Sequence, residues 1–237
     1  MQRVRNFKLS MVTGPLVTGF AAVAILVAAF VGIGDHFVED GQDGFDHRLS
    51  LALHDHATPN LTRLMNLATD LGSAPVTIPL MLGLLAWLWF THGRPAVGVV
   101  AAAWIGAQLL DVVLKYLYQR DRPSLFPAFA KAGGYSFPSG HTVTALVTYG
   151  LIAGVLWHSL NGKWRWVPVV IAALIVAAVA TSRVYLGVHY PSDVAGAILI
   201  GSAWLYVWLL VLARIRNGGW NNSNGKSKDP PVLQNAD

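Results

Sequence analysis

The sequence predicts an all-α fold, an integral membrane bundle of six transmembrane helices with short amphipathic helices in the first extracytoplasmic loop. Hydrophobic residues make up 54% of the 237 residues and charged residues only 12%, about half of the ~25% that is usual in soluble domains. The apolar residues also gather in long runs, and a run of roughly 20 residues is what a helix needs to cross a bilayer. These two observations predict a membrane protein.

Six apolar runs are long enough, or nearly so, to form these spans. They lie at residues 11–34, 71–91, 95–114, 142–160, 166–181 and 194–213. The first run has the position of a signal peptide, but it is longer than the apolar part of such peptides. It also lacks a clear small-x-small cleavage site before the acidic loop that follows. We therefore expect it to remain as a transmembrane helix.

The segment between the first and second runs, residues 35–70, is too long for a plain connection. Apolar residues recur at helical spacing at 47–56 and again at 61–71. This pattern predicts two short amphipathic helices that lie on the outer membrane surface. Pro59 and Asn60 favour a break between them.

Lysine and arginine counts in the short loops predict the orientation, because cytoplasmic loops carry the excess of these residues. One side holds Arg3, Arg5, Lys8, Arg94, Lys163, Arg165, Arg214, Arg216, Lys226 and Lys228. We assign that side to the cytoplasm, which makes both termini cytoplasmic and the opposite loops extracytoplasmic. The chain is then one membrane domain at residues 1–215, followed by a polar tail at 216–237 that we expect to be disordered and cytoplasmic.

Composition excludes several kinds of chemistry. The chain has no cysteine, which excludes disulfides, thiolate metal sites and a cysteine nucleophile. The net charge of +5 is spread among the loops rather than gathered on one face, so we expect no nucleic-acid partner. The expected partners are the membrane bilayer and a lipid phosphate substrate, and the sequence does not determine an oligomeric state.

Three polar clusters stand at the predicted outer ends of the spans. In the first, Lys115 ends the third span, and Arg122 follows seven residues later, directly before Pro123. Proline disfavours helix at the residue before it, so the two cations can converge on one anion from a helix end and a loop. Alone, they could equally be interfacial side chains that reach toward lipid headgroups.

The second cluster is the sequence Pro-Ser-Gly-His at 138–141, which opens the fourth span. Ser139 is a favoured N-cap residue, and Gly140 lets the backbone approach a ligand closely. The free N–H groups at a helix start attract anions, and His141 would stand beside that site. The alternative is an ordinary helix start with a histidine at the interface.

The third cluster closes the fifth span with Ser182 and Arg183 and continues with His189 in a short loop. Asp193 begins the sixth span, and Pro191 prevents a continuous helix, so the loop can fold back. Asp193 could then accept a hydrogen bond from one ring nitrogen of His189 and leave the other free to attack. The alternative is a surface histidine–aspartate pair.

All three clusters lie on one predicted membrane face, and their combined inventory suits cleavage of a phosphate ester with histidine as the nucleophile. The sequence closely resembles the type 2 phosphatidic acid phosphatase superfamily of lipid phosphatases. The signature of that superfamily reads K-x6-R-P, then P-S-G-H, then S-R-x5-H-x3-D. Every spacing is intact here, at 115–123, 138–141 and 182–193.

The resemblance implies a role for each matched residue. His189 attacks phosphorus, Asp193 orients His189, and His141 protonates the leaving oxygen and then activates water. The phosphoryl oxygens are held by Lys115, Arg122, Ser139, Gly140 and Arg183. The resemblance also implies that the reaction needs no metal and no cofactor.

The expected function is hydrolysis of a lipid phosphomonoester or diphosphate at the outer face, with undecaprenyl pyrophosphate, phosphatidylglycerophosphate or phosphatidate as substrate. One alternative is a phosphotransferase with the same site, and another is a non-enzymatic lipid transporter. A third is a vanadate-dependent haloperoxidase, against which the six spans argue. Among the remaining polar residues, we expect Asp111 to pair with Lys115, and Arg120 to shape its loop.

Overall fold

The computed structural model describes residues 2–39 and 44–223, with side chains described at 18–37 and 44–216. These residues form eight α-helices and one short 3-10 helix, Gly162–Arg165. The α-helices are α1 (Gln2–Glu39), α2 (Phe45–His54), α3 (Pro59–Asp70), α4 (Ala74–Thr91), α5 (Arg94–Tyr118), α6 (Gly140–Ser159), α7 (Trp166–Tyr185) and α8 (Pro191–Ser223).

Six segments of the described chain are long and apolar enough to cross a membrane. They are Thr18–Phe37, Pro59–Thr91, Arg94–Tyr118, Gly140–Ser159, Gly162–Tyr185 and Pro191–Arg216. Each overlaps one predicted run, so the predicted all-α bundle of six spans is confirmed. The last helix continues to Ser223, past the point where the tail was predicted to begin, and the rest of that tail lies outside the described residues.

Local chemistry sets several helix ends. α3 begins at Pro59, and the hydroxyl of Thr58 caps it by accepting a hydrogen bond from the Leu61 N–H at 3.3 Å. α5 begins after Gly93, whose φ of +79° favours glycine. It ends at Tyr118, and the next residue, Gln119, adopts a left-handed conformation with φ +45°. Lys115 therefore lies in the last turn of α5, next to the loop that carries the arginines.

α6 lies at the centre of the bundle and packs against α4, α5, α7 and α8. Of the apolar part of this helix, 61% is buried, against 28% or less in the other spans. Glycines permit this packing: a Cβ atom added at Gly150 or Gly154 would lie 2.2 or 2.4 Å from a methyl carbon of Leu205 or Leu209 on α8. The central position of α6 brings its first residues between the ends of α5, α7 and α8.

Two short helices, α2 and α3, lie between α1 and α4, within two residues of their predicted bounds. Both pack against α7, and α2 also packs against α8. Asp46 on α2 is only 4% exposed, and Thr69 on α3 accepts a hydrogen bond from Arg183 of α7 at 2.6 Å. The sequence predicted helices that lie on the membrane surface. In the structure they contribute buried side chains to the end of the bundle that carries the polar clusters.

Candidate active site

A cavity of about 560 Å³ opens at the end of the bundle where α5 and α7 end and α6 begins. Six of the eight predicted site residues line it: Lys115, Arg122, Gly140, His141, Arg183 and His189. They come from three helices and two loops. The three clusters therefore meet around one cavity, although they are spread from residue 115 to residue 193.

Lys115 is held in place by two acceptors. Its Nζ lies 2.6 Å from Asp111 Oδ1, one turn earlier on α5, and 2.8 Å from the Pro138 carbonyl oxygen. The predicted pairing of Asp111 with Lys115 is thus confirmed. An ammonium group has three donors, so one N–H of Lys115 remains for a ligand. Lys115 and Asp111 both line the cavity.

Arg122 ties two loops together through backbone carbonyls. Its guanidinium donates to Gly133, Gly134 and Tyr135 at 2.8, 3.0 and 3.2 Å, and to Val188 at 2.7 Å. Because the group is planar and carries five donors in fixed directions, these bonds fix its plane. The loop after α5 and the loop before α8 are thereby held against each other.

The contacts of His189 indicate its tautomer. Arg122 NH1 lies 3.3 Å from Nε2 of His189, and an arginine can only donate, so Nε2 must be the acceptor. The proton then resides on Nδ1, which lies 3.3 Å from Asp193 Oδ2. The lone pair of Nε2 therefore belongs to the ring nitrogen that is not engaged by the carboxylate, as nucleophilic attack requires.

Burial controls the charge of His189, whose side chain is 2% exposed. Desolvation lowers the pKa of His189 to about 4, although the hydrogen bond and charge of Asp193 act to raise it. At neutral pH the imidazole is therefore uncharged. The neutral form is the one that can attack phosphorus.

Gly140 and Ser139 occupy different positions relative to the cavity. A Cβ atom at Gly140 would lie 2.8 Å from Asp111 Oδ2 and 3.1 Å from Lys115 Nζ, so a larger residue here would displace the Asp111–Lys115 pair. Ser139 is the N-cap of α6, but its side chain makes no capping bond and instead accepts from Thr142 Oγ1 at 3.0 Å. It is fully buried and is not among the residues that line the cavity.

Arg183 is the most deeply buried cation of the site, at 3% exposure. Its NH1 donates to Thr69 Oγ1 at 2.6 Å, whereas its buried Nε has no hydrogen-bond partner among the described residues. An unpaired buried donor is costly. Because Arg183 also lines the cavity, an anion bound there could accept this N–H.

Asp193 is fully buried and is held from both sides. Its Oδ2 accepts hydrogen bonds from the Ser136 hydroxyl and from the Tyr190 N–H, the latter at 2.8 Å. Its Oδ1 lies 2.6 Å from Arg120 NH1. These partners stabilise the carboxylate charge in a site that water does not reach.

Arg120 extends this network to α2. It donates to Asp46 Oδ2 at 2.8 Å and to the Phe37 carbonyl at 2.7 Å, and it also donates to the Ser192 hydroxyl at 2.6 Å. The Ser192 N–H donates in turn to Asp46 Oδ1 at 2.9 Å. The expectation that Arg120 shapes its loop is therefore incomplete, because its guanidinium bridges two buried carboxylates, one of which orients His189.

Sequence reasoning missed Asp46 altogether, since it lies 74 residues before Arg120 in a segment with several aspartates. No periodic pattern marks such a pair. Arg120 did carry a signal: it is a second arginine two residues before Arg122 at a helix end, where a charge needs a partner. Among the described residues, no group of three or more histidines and carboxylates is arranged to hold a metal ion.

Comparisons with known proteins agree with this geometry. The family model described as the PAP2 superfamily matches residues 96–216. The chain is 34% identical to phosphatidylglycerophosphatase B of Bacillus subtilis, over 60% of this chain and 71% of that protein. It is 32% identical to the undecaprenyl-diphosphatase of Sulfolobus acidocaldarius, over 68% of this chain and 75% of that protein.

A solved structure has the same architecture. It is the crystal structure of a transmembrane PAP2-type phosphatidylglycerolphosphate phosphatase from Bacillus subtilis. The two chains align with a TM-score of 0.71 and 26% sequence identity, over 87% of this chain and 98% of the other. The likeness therefore extends over nearly the whole bundle.

Proposed function

This chain belongs to the PAP2 superfamily, and we propose that, as a membrane lipid phosphatase of that family, it works through a phosphohistidine intermediate on His189. The observation that carries the proposal is the pair of contacts that His189 makes. Its Nδ1 faces Asp193, its Nε2 faces the donor Arg122, and Lys115, Arg122 and Arg183 line the same cavity. A neutral nucleophile next to concentrated positive charge is what attack on a phosphate ester requires.

In the first step the phosphoryl oxygens accept hydrogen bonds from the N–H groups that Lys115 and Arg183 leave available. They also accept the Arg122 N–H that faces Nε2 of His189, which releases that nitrogen. The N–H of Gly140 at the start of α6 adds a further donor. Nε2 of His189 then attacks phosphorus and forms an N–P bond, while the bond from phosphorus to the leaving oxygen breaks. His141 gives its proton to that oxygen. Asp193 stabilises the positive charge that develops on the ring of His189.

In the second step His141 takes a proton from a water molecule, whose oxygen attacks phosphorus. The N–P bond breaks, the electron pair returns to Nε2, and inorganic phosphate leaves. Both steps place negative charge among the same fixed cations, which need not reorganise as the charge develops. Ser139 contributes indirectly, because its N–H donates to the Asp193 carbonyl at 3.1 Å and so joins the second and third clusters.

The substrate we propose is a phosphate or diphosphate ester of a long-chain lipid. The cavity extends from the catalytic residues along α4 and α5 as far as Ile78 and Trp104. Trp104 lies three helical turns below Lys115, about 16 Å along the axis of α5. A lipid whose phosphate lies among the cations can therefore place its tail beside the apolar side chains of α4 and α5. Undecaprenyl pyrophosphate, phosphatidylglycerophosphate and phosphatidate all have this form.

We expect the purified protein in detergent to release inorganic phosphate from these lipids in the presence of EDTA. The reason is that three side-chain cations and a helix N-terminus supply the positive charge that a metal ion would otherwise provide. The measurement is phosphate release with and without EDTA. Release that stops in EDTA and returns with Mg²⁺ would contradict the mechanism, and phosphate found on an added alcohol would indicate the phosphotransferase instead.

We also propose that the site faces away from the cytoplasm and that both termini are cytoplasmic, on the basis of the lysine and arginine distribution. A cysteine in place of Ser124, in the loop after α5, should react with a membrane-impermeant thiol reagent in intact cells. A cysteine in place of Ser159, at the end of α6, should react only after permeabilisation. Both serines are exposed, and the chain has no cysteine of its own. The reverse labelling pattern would invert the topology.

A further inference from the structure

We propose that this protein has a second lipid site, at the end of the bundle opposite the active site, that binds an anionic phospholipid of the membrane. The site is a cavity of about 680 Å³, here called the basal cavity, bounded by the ends of α4, α6 and α8 and the starts of α5 and α7. It shares no lining residue with the active-site cavity. The inference does not depend on the reaction proposed above.

The walls of the basal cavity are apolar. α8 contributes Leu205, Leu209 and Leu212, and these face small or apolar residues such as Ala153 on α6 and Ala172 on α7. Its volume lies within the range of about 300–1,000 Å³ that is usual for small-molecule sites. Water is poorly stabilised in such a cavity because the walls offer few hydrogen-bond partners. A hydrocarbon chain, by contrast, can make apolar contacts with these walls.

The mouth of the basal cavity is cationic and aromatic. Arg216 and His158 line it together with Trp157. The guanidinium of Arg165 stacks on the ring of Trp157, with its central carbon 5.3 Å from the ring centroid. Apolar walls below a cationic, tryptophan-bearing rim correspond to a lipid whose tail is buried and whose headgroup is negatively charged.

The distribution of charge along the chain supports an anionic headgroup over a neutral one. Between residues 44 and 216 the acidic residues are Asp46, Asp55, Asp70, Asp111, Asp121 and Asp193, and all six belong to the half of the bundle that carries the active site. The opposite end carries Arg94, Lys163, Arg165, Arg214 and Arg216. No carboxylate within this range therefore competes with a phosphate group at the mouth of the basal cavity. Basic pockets between transmembrane helices recognise lipid headgroups in this way.

The test uses the full-length protein in detergent and native mass spectrometry with phosphatidylglycerol and phosphatidylcholine that carry identical tails. We expect phosphatidylglycerol to be retained more strongly by the wild type. Arg216→Gln should weaken its binding about fivefold, the effect of one cation near an anionic lipid. Arg214→Gln is the matched control, since Arg214 is exposed and does not line the cavity, and it should bind as the wild type does.

Two further arms locate the lipid. Ala213→Phe places a ring in the basal cavity, which Ala213 lines, and should reduce the retention of both lipids. Lys115→Gln removes a cation of the active-site cavity and should leave the retention of phosphatidylglycerol unchanged. Equal retention of the two lipids by the wild type, equal effects of Arg216→Gln and Arg214→Gln, or weaker retention of phosphatidylglycerol by Lys115→Gln would each overturn the proposal. Phosphatase activity, measured in parallel, should stay at the wild-type level in the Arg216→Gln variant.

Discussion

Replacement of His189 by alanine is expected to slow the release of phosphate from lipid phosphates by at least about a hundredfold, the usual cost of removing an activated nucleophile. The side chain presents a proton-free Nε2 toward Arg122 and is oriented through Nδ1 by Asp193. No other histidine combines these two contacts with a place on the cavity wall within the part of the chain that the structure describes. His141 lines the same cavity, and we assign it to proton transfer.

The measurement has two parts. Steady-state phosphate release gives the loss of rate, and acid-labile, base-stable labelling of the protein by a ³²P-lipid phosphate reports the N–P bond. Wild-type protein should carry the label, and His189→Ala should not. His56→Ala is the matched control, because His56 is an exposed histidine on the connection between α2 and α3 and should leave both signals unchanged. Full activity in His189→Ala would refute the mechanism and leave the lipid transporter as the better hypothesis.

Replacement of Arg120 by methionine is expected to have the second largest effect, although Arg120 does not line the active-site cavity. The change leaves the carboxylates of Asp46 and Asp193 buried without the cation that bridges them. Breaking a buried ion pair on one side typically lowers the free energy of unfolding by about 3–5 kcal/mol. If Asp193 instead takes up a proton, it ceases to orient His189, and kcat should fall even in molecules that remain folded.

Two readouts separate a positioning role from a purely structural one. If Arg120 has a positioning role, Arg120→Met should lower kcat with little change in KM. Arg120→Lys should recover part of both kcat and the melting temperature, because lysine restores the charge but not the planar fork. Arg48→Met is the matched control, since Arg48 is an exposed arginine on α2. A lowered melting temperature with an unchanged kcat in Arg120→Met would show that the network only stabilises the fold.

Much of the fold and of the candidate site can be predicted from local sequence. The six apolar runs predicted the six spans, because a helix in a bilayer satisfies its own backbone hydrogen bonds and needs only length and apolarity to form. The pairing of Asp111 with Lys115 followed from their separation of one helical turn. The three clusters were recognisable because their residues stand at fixed short spacings, which also carry the resemblance to the PAP2 superfamily.

Other features depend on contacts between distant parts of the chain. Asp46 reaches Arg120 and Ser192 only because α2 packs against α8, and the sequence carries no sign of that pairing. Ser139 has the residue type of a capping serine, yet its side chain is fully buried, makes no capping bond and accepts a hydrogen bond from Thr142.

The sequence by itself therefore determined the number of helices, the residues at their polar ends and the chemical groups available for a phosphate, since each of these depends on neighbours within about one helical turn. The tertiary structure alone decided which groups share a cavity, which nitrogen of His189 faces Asp193, and that a second cavity with a cationic mouth lies at the other end. These properties arise from side chains that meet across helices, and neither hydropathy nor spacing specifies which of them will meet.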